Sequence, residues 1–100
     1  MEIALQIEGK PKTFTTGFVS ARMVRQTLAM AKSINFEDLS PEELDQLSDY
    51  VVELFGRQFT RDDLYDGLAS QELLPTIERC IQGVVGTLGK VRGDDEGKNE

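Results

Sequence analysis

Apolar and polar residues alternate strictly over residues 2–8, EIALQIE, with Ile3, Leu5 and Ile7 on one side and Glu2, Gln6 and Glu8 on the other. A period of two marks a strand with one buried face. Gly9-Lys10-Pro11 then supplies turn chemistry, and Lys12–Thr15 reads as a short return strand with Phe14 on its apolar side. A lone hairpin is marginally stable in water, so this one is expected to lie on the segments that follow.

Beyond residue 20 the period changes to that of a helix. Ser20 is placed to cap a helix running to about Ser33, and Met23, Val24, Thr27, Leu28, Met30, Ala31 and Ile34 gather on one side of it. Ser40-Pro41-Glu42-Glu43 opens a second helix with a serine N-cap, proline at the first position and a glutamate placed for a capping box. Leu44, Leu47, Val51, Leu54 and Phe55 form its core face, and Gly56 is its left-handed stop. Thr60 with Asp63 repeats the capping pattern for a short helix carrying Leu64 and Leu68. A last helix is expected from Ser70, or from Leu74 if Pro75 delays its start, to about Leu88. Its face is Leu73, Ile77, Cys80, Ile81, Val84 and Leu88, and the segment from Gly89 lacks any repeating apolar face. The expected fold is α+β and mostly α: an N-terminal β-hairpin packed on about four helices over 1–88, then a disordered charged tail over 89–100.

Composition narrows the chemistry. The 100 residues include no histidine and one cysteine, which removes the commonest general base and any thiolate zinc site. The formal charge of −7 opposes nonspecific binding to nucleic acid. No apolar run approaches the ~20 residues of a membrane span. Neither a catalytic residue nor a cofactor or metal site is expected. Asp62, Asp63 and Asp66 lack the glycine turn and spacing of a calcium loop and read as helix N-terminal and surface charges. Cys80 reads as core, Met23 and Met30 as core filling with an adaptable edge.

Charge changes the picture more, because it is segregated. Residues 1–34 carry five basic and two acidic groups, whereas residues 37–66 carry two basic and ten acidic ones. Arg22, Arg25 and Lys32 form a ridge opposite the core face of the first helix, and Glu42, Asp45, Asp49 and Glu53 form one on the second. Such ridges are ordinarily solvated surface. Alternatively the basic ridge meets the acidic ridge of a neighbouring copy, which would give salt-sensitive self-association. Gly83, Gly86 and Gly89 sit three apart on the polar side of the last helix. They mark either a frayed terminal turn or a smooth strip for a partner helix.

Taken in order, IALQIEGKPKTFTTGFVSARM, VVELFGRQFTRDDLYDGL and LLPTIERCIQGVVG resemble the tail assembly chaperones of long-tailed bacteriophages and prophages of Gram-positive bacteria. The likeness covers about residues 1–88. It rests on the hairpin, Phe18-Val19 before a helix, the Phe55-Gly56 stop and the Phe59-Thr60 restart. The resemblance implies a non-enzymatic protein of the host bacterial cytoplasm, absent from the mature virion. Its partner would be the tape measure protein, kept soluble until tail tube subunits polymerise. It also implies a longer product made by translational frameshifting that recruits tail tube protein, this chain being the short form. Lys98-Asn99 permits a slippery A-rich codon run. The alternatives are a head–tail connector or tail completion protein, or a small regulatory, antitoxin-like binder.

Overall fold

The structure is a computed structural model that describes the backbone of residues 1–98 and the side chains of residues 1–85. The tail expected over 89–100 falls outside the fully described residues. Strands β1 (Glu2–Ile7) and β2 (Lys10–Thr15) pair antiparallel, with Ile3 opposite Phe14 and Ile7 opposite Lys10. The hairpin turn is therefore Glu8-Gly9, one step before the expected Gly9-Lys10-Pro11. Both residues have positive φ, 53° and 81°, as a two-residue hairpin turn matching the strand twist requires. Glycine takes this conformation freely and glutamate does not, which is why the turn was hidden. Lys10 and Pro11 join β2 instead, and Pro11 opposite Gln6 is tolerated because every strand of a two-stranded sheet is an edge.

Helix α1 (Ala21–Ser33) follows Ser20, which has the extended backbone of an N-cap though its hydroxyl makes no capping bond. Helix α2 (Pro41–Leu54) carries the full capping box: Glu43 N–H donates to Ser40 Oγ and Ser40 N–H donates to Glu43 Oε1, both at 3.1 Å. It ends in a Schellman motif. Arg57 N–H donates to the Val52 carbonyl and Gly56 N–H to the Glu53 carbonyl, both at 2.9 Å, with Gly56 at φ 69°. Arg57 is left-handed as well, at φ 60°. Its guanidinium folds back onto the Glu53 carboxylate.

Helix α3 (Arg61–Gly67) starts on a second capping box, Thr60 with Asp63, at 3.0 Å in both directions. Phe59 and Leu64 occupy the positions of a hydrophobic staple and are both buried. After a 3-10 turn over Ser70–Glu72, helix α4 (Leu73–Lys98) begins, with Pro75 in its first turn, where no intrahelical N–H is needed.

Helix α4 packs against α1 and α2, α2 against α3, and α3 against β1. The core collects Ile3 and Leu5 from the hairpin, Leu47 and Val51 from α2, Leu64 from α3 and Ile77 from α4. At its hairpin end the Phe59 ring meets Phe14 edge-on at 4.9 Å and Phe55 at 5.6 Å. Gly67 touches β1 so closely that a Cβ there would lie 3.0 Å from Leu5 Cβ and 3.1 Å from the Gln6 carbonyl oxygen.

The α1 stripe is only partly core. Thr27, Met30 and Ile34 are buried, Met23 and Val24 half-buried, whereas Leu28 and Ala31 are exposed. Conversely Tyr50 and Ser48, outside the expected α2 face, are buried. Cys80 is core as expected, and burial pushes its thiol from the ordinary 9.0 up to about 11, against weaker lowering by Arg79 and the N-terminal amine. Above about pH 9 the unfolded thiol ionises while the folded one keeps its proton, so the unfolded state binds fewer protons. Stability is thus expected to fall between about pH 9 and 11, and Cys80→Ala to flatten that slope in denaturant titrations across the range.

Candidate partner-binding groove

Two depressions run between α1 and α2. The first, about 550 Å³, lies among Phe18, Val19, Arg22 and Met23 on one side and Glu53, Leu54, Phe55 and Gln58 on the other. The second, about 350 Å³, continues past Ala29 and Met30 on α1 and Gln46, Asp49 and Tyr50 on α2. Gln26 and Glu53 line both, making one groove. Its lining is mixed: Val19, Met23 and Ala29 stand beside Gln26, Gln46 and Gln58, with the charges of Arg22, Asp49 and Glu53 among them. At 1.5 Å per residue the α1 wall from Arg22 to Met30 is about 12 Å long.

A hydroxyl pair holds the two walls together. Thr27 Oγ1 donates to the Met23 carbonyl at 2.6 Å, which uses its only proton, so the Tyr50 hydroxyl donates to Thr27 at 2.5 Å. Both residues are buried, and burial raises the Tyr50 phenol above its ordinary value. The two halves of the pair are not equivalent. Tyr50→Phe leaves Thr27 bonded to Met23 and is expected to cost about 1 kcal/mol. Thr27→Val strands the phenol proton and is expected to cost about 2 kcal/mol, a difference readable as separate urea midpoints.

The structure distributes the expected site residues unevenly. Arg22, Asp49 and Glu53, from ridges of opposite sign, come together around the groove. Arg25 and Lys32 are exposed on the neighbouring face of α1, and among the described residues neither forms an ion pair. Glu42 is exposed in the first turn of α2. The acidic ridge is partly neutralised within the chain. Arg61 reaches Asp49 at 3.0 Å and Asp45 at 4.0 Å, Tyr65 donates to Asp45 at 2.5 Å, and Arg57 pairs with Glu53. All three pairs are solvent-exposed, where such contacts contribute at most about 1 kcal/mol each. Gly83 faces the Met1 thioether, whose Cε would lie 2.6 Å from an added Cβ, so that part of the glycine strip is covered by the chain's own N-terminal residue. Gly86 and Gly89 lie outside the residues with described side chains.

Phe18 is the residue that sequence reading undervalued. It stands at the mouth of the groove with 94% of its surface exposed. A signal was present: Val19 and Val24 take the staple positions around Ser20, which leaves the preceding aromatic without a place in its own core.

A family model described as phage tail chaperone protein matches residues 1–100. The chain belongs to that family. Comparison with curated proteins and with solved structures gives no match. The resemblance rested on the hairpin, Phe18-Val19 before α1, the Phe55-Gly56 stop and the Phe59-Thr60 restart, and this phage tail chaperone family member has each of them in place. Among the described residues no helix is long and apolar enough to cross a membrane.

Proposed function

We propose that this chain binds the tape measure protein during phage tail assembly and keeps it soluble until tail tube subunits polymerise around it. The observation that carries the reading is the α1–α2 groove, an open trough of mixed apolar and polar lining on a member of the tail chaperone family. A long helical protein awaiting its tube exposes apolar stripes, and a trough of this kind takes an amphipathic helix along its length. Val19, Met23 and Ala29 would receive the stripe, and Met23 adapts to successive side chains of different shape. Arg22 on one rim and Asp49 and Glu53 on the other would meet the polar flanks. The action is binding, with no reaction and no cofactor. It takes place in the host cytoplasm, and the chain is left out of the finished virion. A longer frameshifted product would add the surface that recruits tail tube protein.

Co-expression with the tape measure protein tests this. The wild-type chain is expected to move the partner into the soluble fraction. Ala29→Arg, which fills the second depression from an exposed position, is expected to abolish that rescue while leaving the thermal melt unchanged. A partner that stays insoluble with the wild-type chain, or one rescued equally by the variant, would overturn the proposal.

A further inference from the structure

We infer that β1 accepts the C-terminal end of a partner protein as a short antiparallel strand, with the partner's free carboxylate held by Arg79. The hydrogen-bond register leaves this edge open. Thr16 N–H donates to the Met1 carbonyl at 2.9 Å, and bonded and unbonded pairs alternate along an antiparallel ladder. Ile3 and Leu5 therefore bond to Phe14 and Lys12, whereas Glu2, Ala4 and Gln6 turn their N–H and C=O groups away from β2. On β2 the equivalent outward carbonyl of Thr15 is taken by Gln58 Nε2 at 2.8 Å. Among the described residues the outward groups of Glu2 and Ala4 have no such partner.

A trough of about 260 Å³ lies along this edge. Ile3 and Ala4 form one wall, Leu68, Pro75 and Thr76 the other, and exposed Arg79 borders it. Both ends are stopped. Gly67 presses on the Gln6 backbone at one, and Met1 lies over Gly83 of α4 at the other. What remains open is about 10 Å of strand, on the order of three residues. A stopped trough of that length suits a chain end better than a strand that must continue past it.

Charge selects which end. Because Met1 meets Gly83 and Gln6 meets Gly67, α4 runs past β1 in reverse, with Arg79 at the Glu2 end and Glu72 toward the Gln6 end. An antiparallel strand finishes beside Glu2, where its carboxylate meets the outward Glu2 N–H and the Arg79 guanidinium. A parallel strand would bring an N-terminal amine against the same cation. Among the described residues Arg79 forms no ion pair, and its planar fork matches a carboxylate in a bidentate contact. Side chains of the added strand alternate in direction, so the one beside Ile3 turns toward Leu68 and Pro75, which calls for a small apolar residue. Main-chain bonds would supply the affinity, and one pocket with one charge the selection.

Amide chemical-shift titration of the full chain with an acetylated pentapeptide, threonine-valine-threonine-valine-valine, tests the inference. The acetyl group removes the amine that Glu72 would otherwise attract. The free acid is expected to bind saturably with a Kd below about 1 mM, shifting Glu2, Ile3 and Ala4 and slowing exchange of the Ala4 amide. The same peptide with an amidated C-terminus should bind about tenfold or more weakly. Arg79→Gln, at an exposed position, should cost the free acid that factor and leave the amide unchanged. Ala4→Pro removes the outward donor without breaking a bond to β2, as Pro11 already does on the other strand, and should abolish binding of both peptides. If that variant melts early, the exchange rate of the wild-type Ala4 amide decides the same point. No saturable shift by about 1 mM free acid, equal binding of acid and amide, Arg79→Gln binding both as wild type does, or an Ala4 amide no slower when bound would each overturn it. The trough shares no lining residue with the α1–α2 groove, so failure here leaves the tape measure reading standing, and the reverse holds too.

Discussion

Truncating Phe59 to alanine is expected to cost about 3–5 kcal/mol, the range for removing a large aromatic from a packed interior. The ring is 4% exposed and is where three parts of the fold meet. It lies edge-on to Phe14 of β2 at 4.9 Å and against Phe55 at the end of α2 at 5.6 Å, one residue before the cap of α3. Removal deletes the ring's burial and both aromatic contacts, and leaves a cavity that the Schellman turn and the capping box prevent from collapsing. Domains of this size are commonly stable by about 5–15 kcal/mol, so the variant sits near its unfolding midpoint in mild conditions. Urea titration followed by circular dichroism reads the loss directly. Phe59→Leu should recover part of it, since leucine refills the volume without the edge-on geometry. A midpoint within a few tenths of molar urea of wild type would show that the cluster is not where the hairpin is held.

Gly67→Ala is expected to destabilise by about 2–3 kcal/mol, although alanine is ordinarily the better helix residue. The reason is what a methyl group would meet: Leu5 Cβ at 3.0 Å, the Gln6 carbonyl oxygen at 3.1 Å and the Gln6 nitrogen at 3.2 Å. Strand backbone cannot rotate aside as a side-chain tip does, so α3 and β1 must separate along their contact. Amide exchange should report it, with protection lost first in β1 and β2 while α2 keeps its own. Gly83→Ala is the natural control. Its obstacle is the thioether end of Met1, which can swing away, so this substitution should be close to neutral.

The hairpin, the two capped helices and the Gly56 stop were legible in the sequence because each rests on local chemistry: alternation, an N-cap three residues before its acid, a glycine where φ turns positive. The turn at Glu8-Gly9 was missed for the same kind of reason, since Glu8 is a poor marker for the conformation it adopts and Gly-Lys-Pro a good marker for one it does not. Tertiary facts were harder to read. Tyr50 sits off the α2 stripe yet is buried, because Thr27 supplies a hydroxyl partner from a helix 23 residues away. Gly67 carried no sign that a strand would press on it. Leu28 and Ala31 looked like core by period alone, but among the described residues no element covers the outer part of the α1 stripe.

The candidate site was legible in its ingredients and not in its arrangement. Segregated charge was plain along the chain, but which members would face each other depended on how α1 and α2 are set against each other. Arg22 and Glu53 ended on one groove, Arg25 and Lys32 beside it, and Arg61 came from α3 to hold Asp45 and Asp49. Phe18 stood in the sequence as part of a family pattern. Only its 94% exposure separates it from the phenylalanines that hold the core.

The outward strand of the hairpin carries a further consequence. Lys10, Pro11 and Lys12 give β2 two exposed cations and a residue with no amide hydrogen, the features by which natural sheets refuse an extra strand. An open edge would otherwise present neighbouring chains with a template for fibrous aggregates. With that edge closed to backbone ladders, contacts made along β2 are confined to side chains.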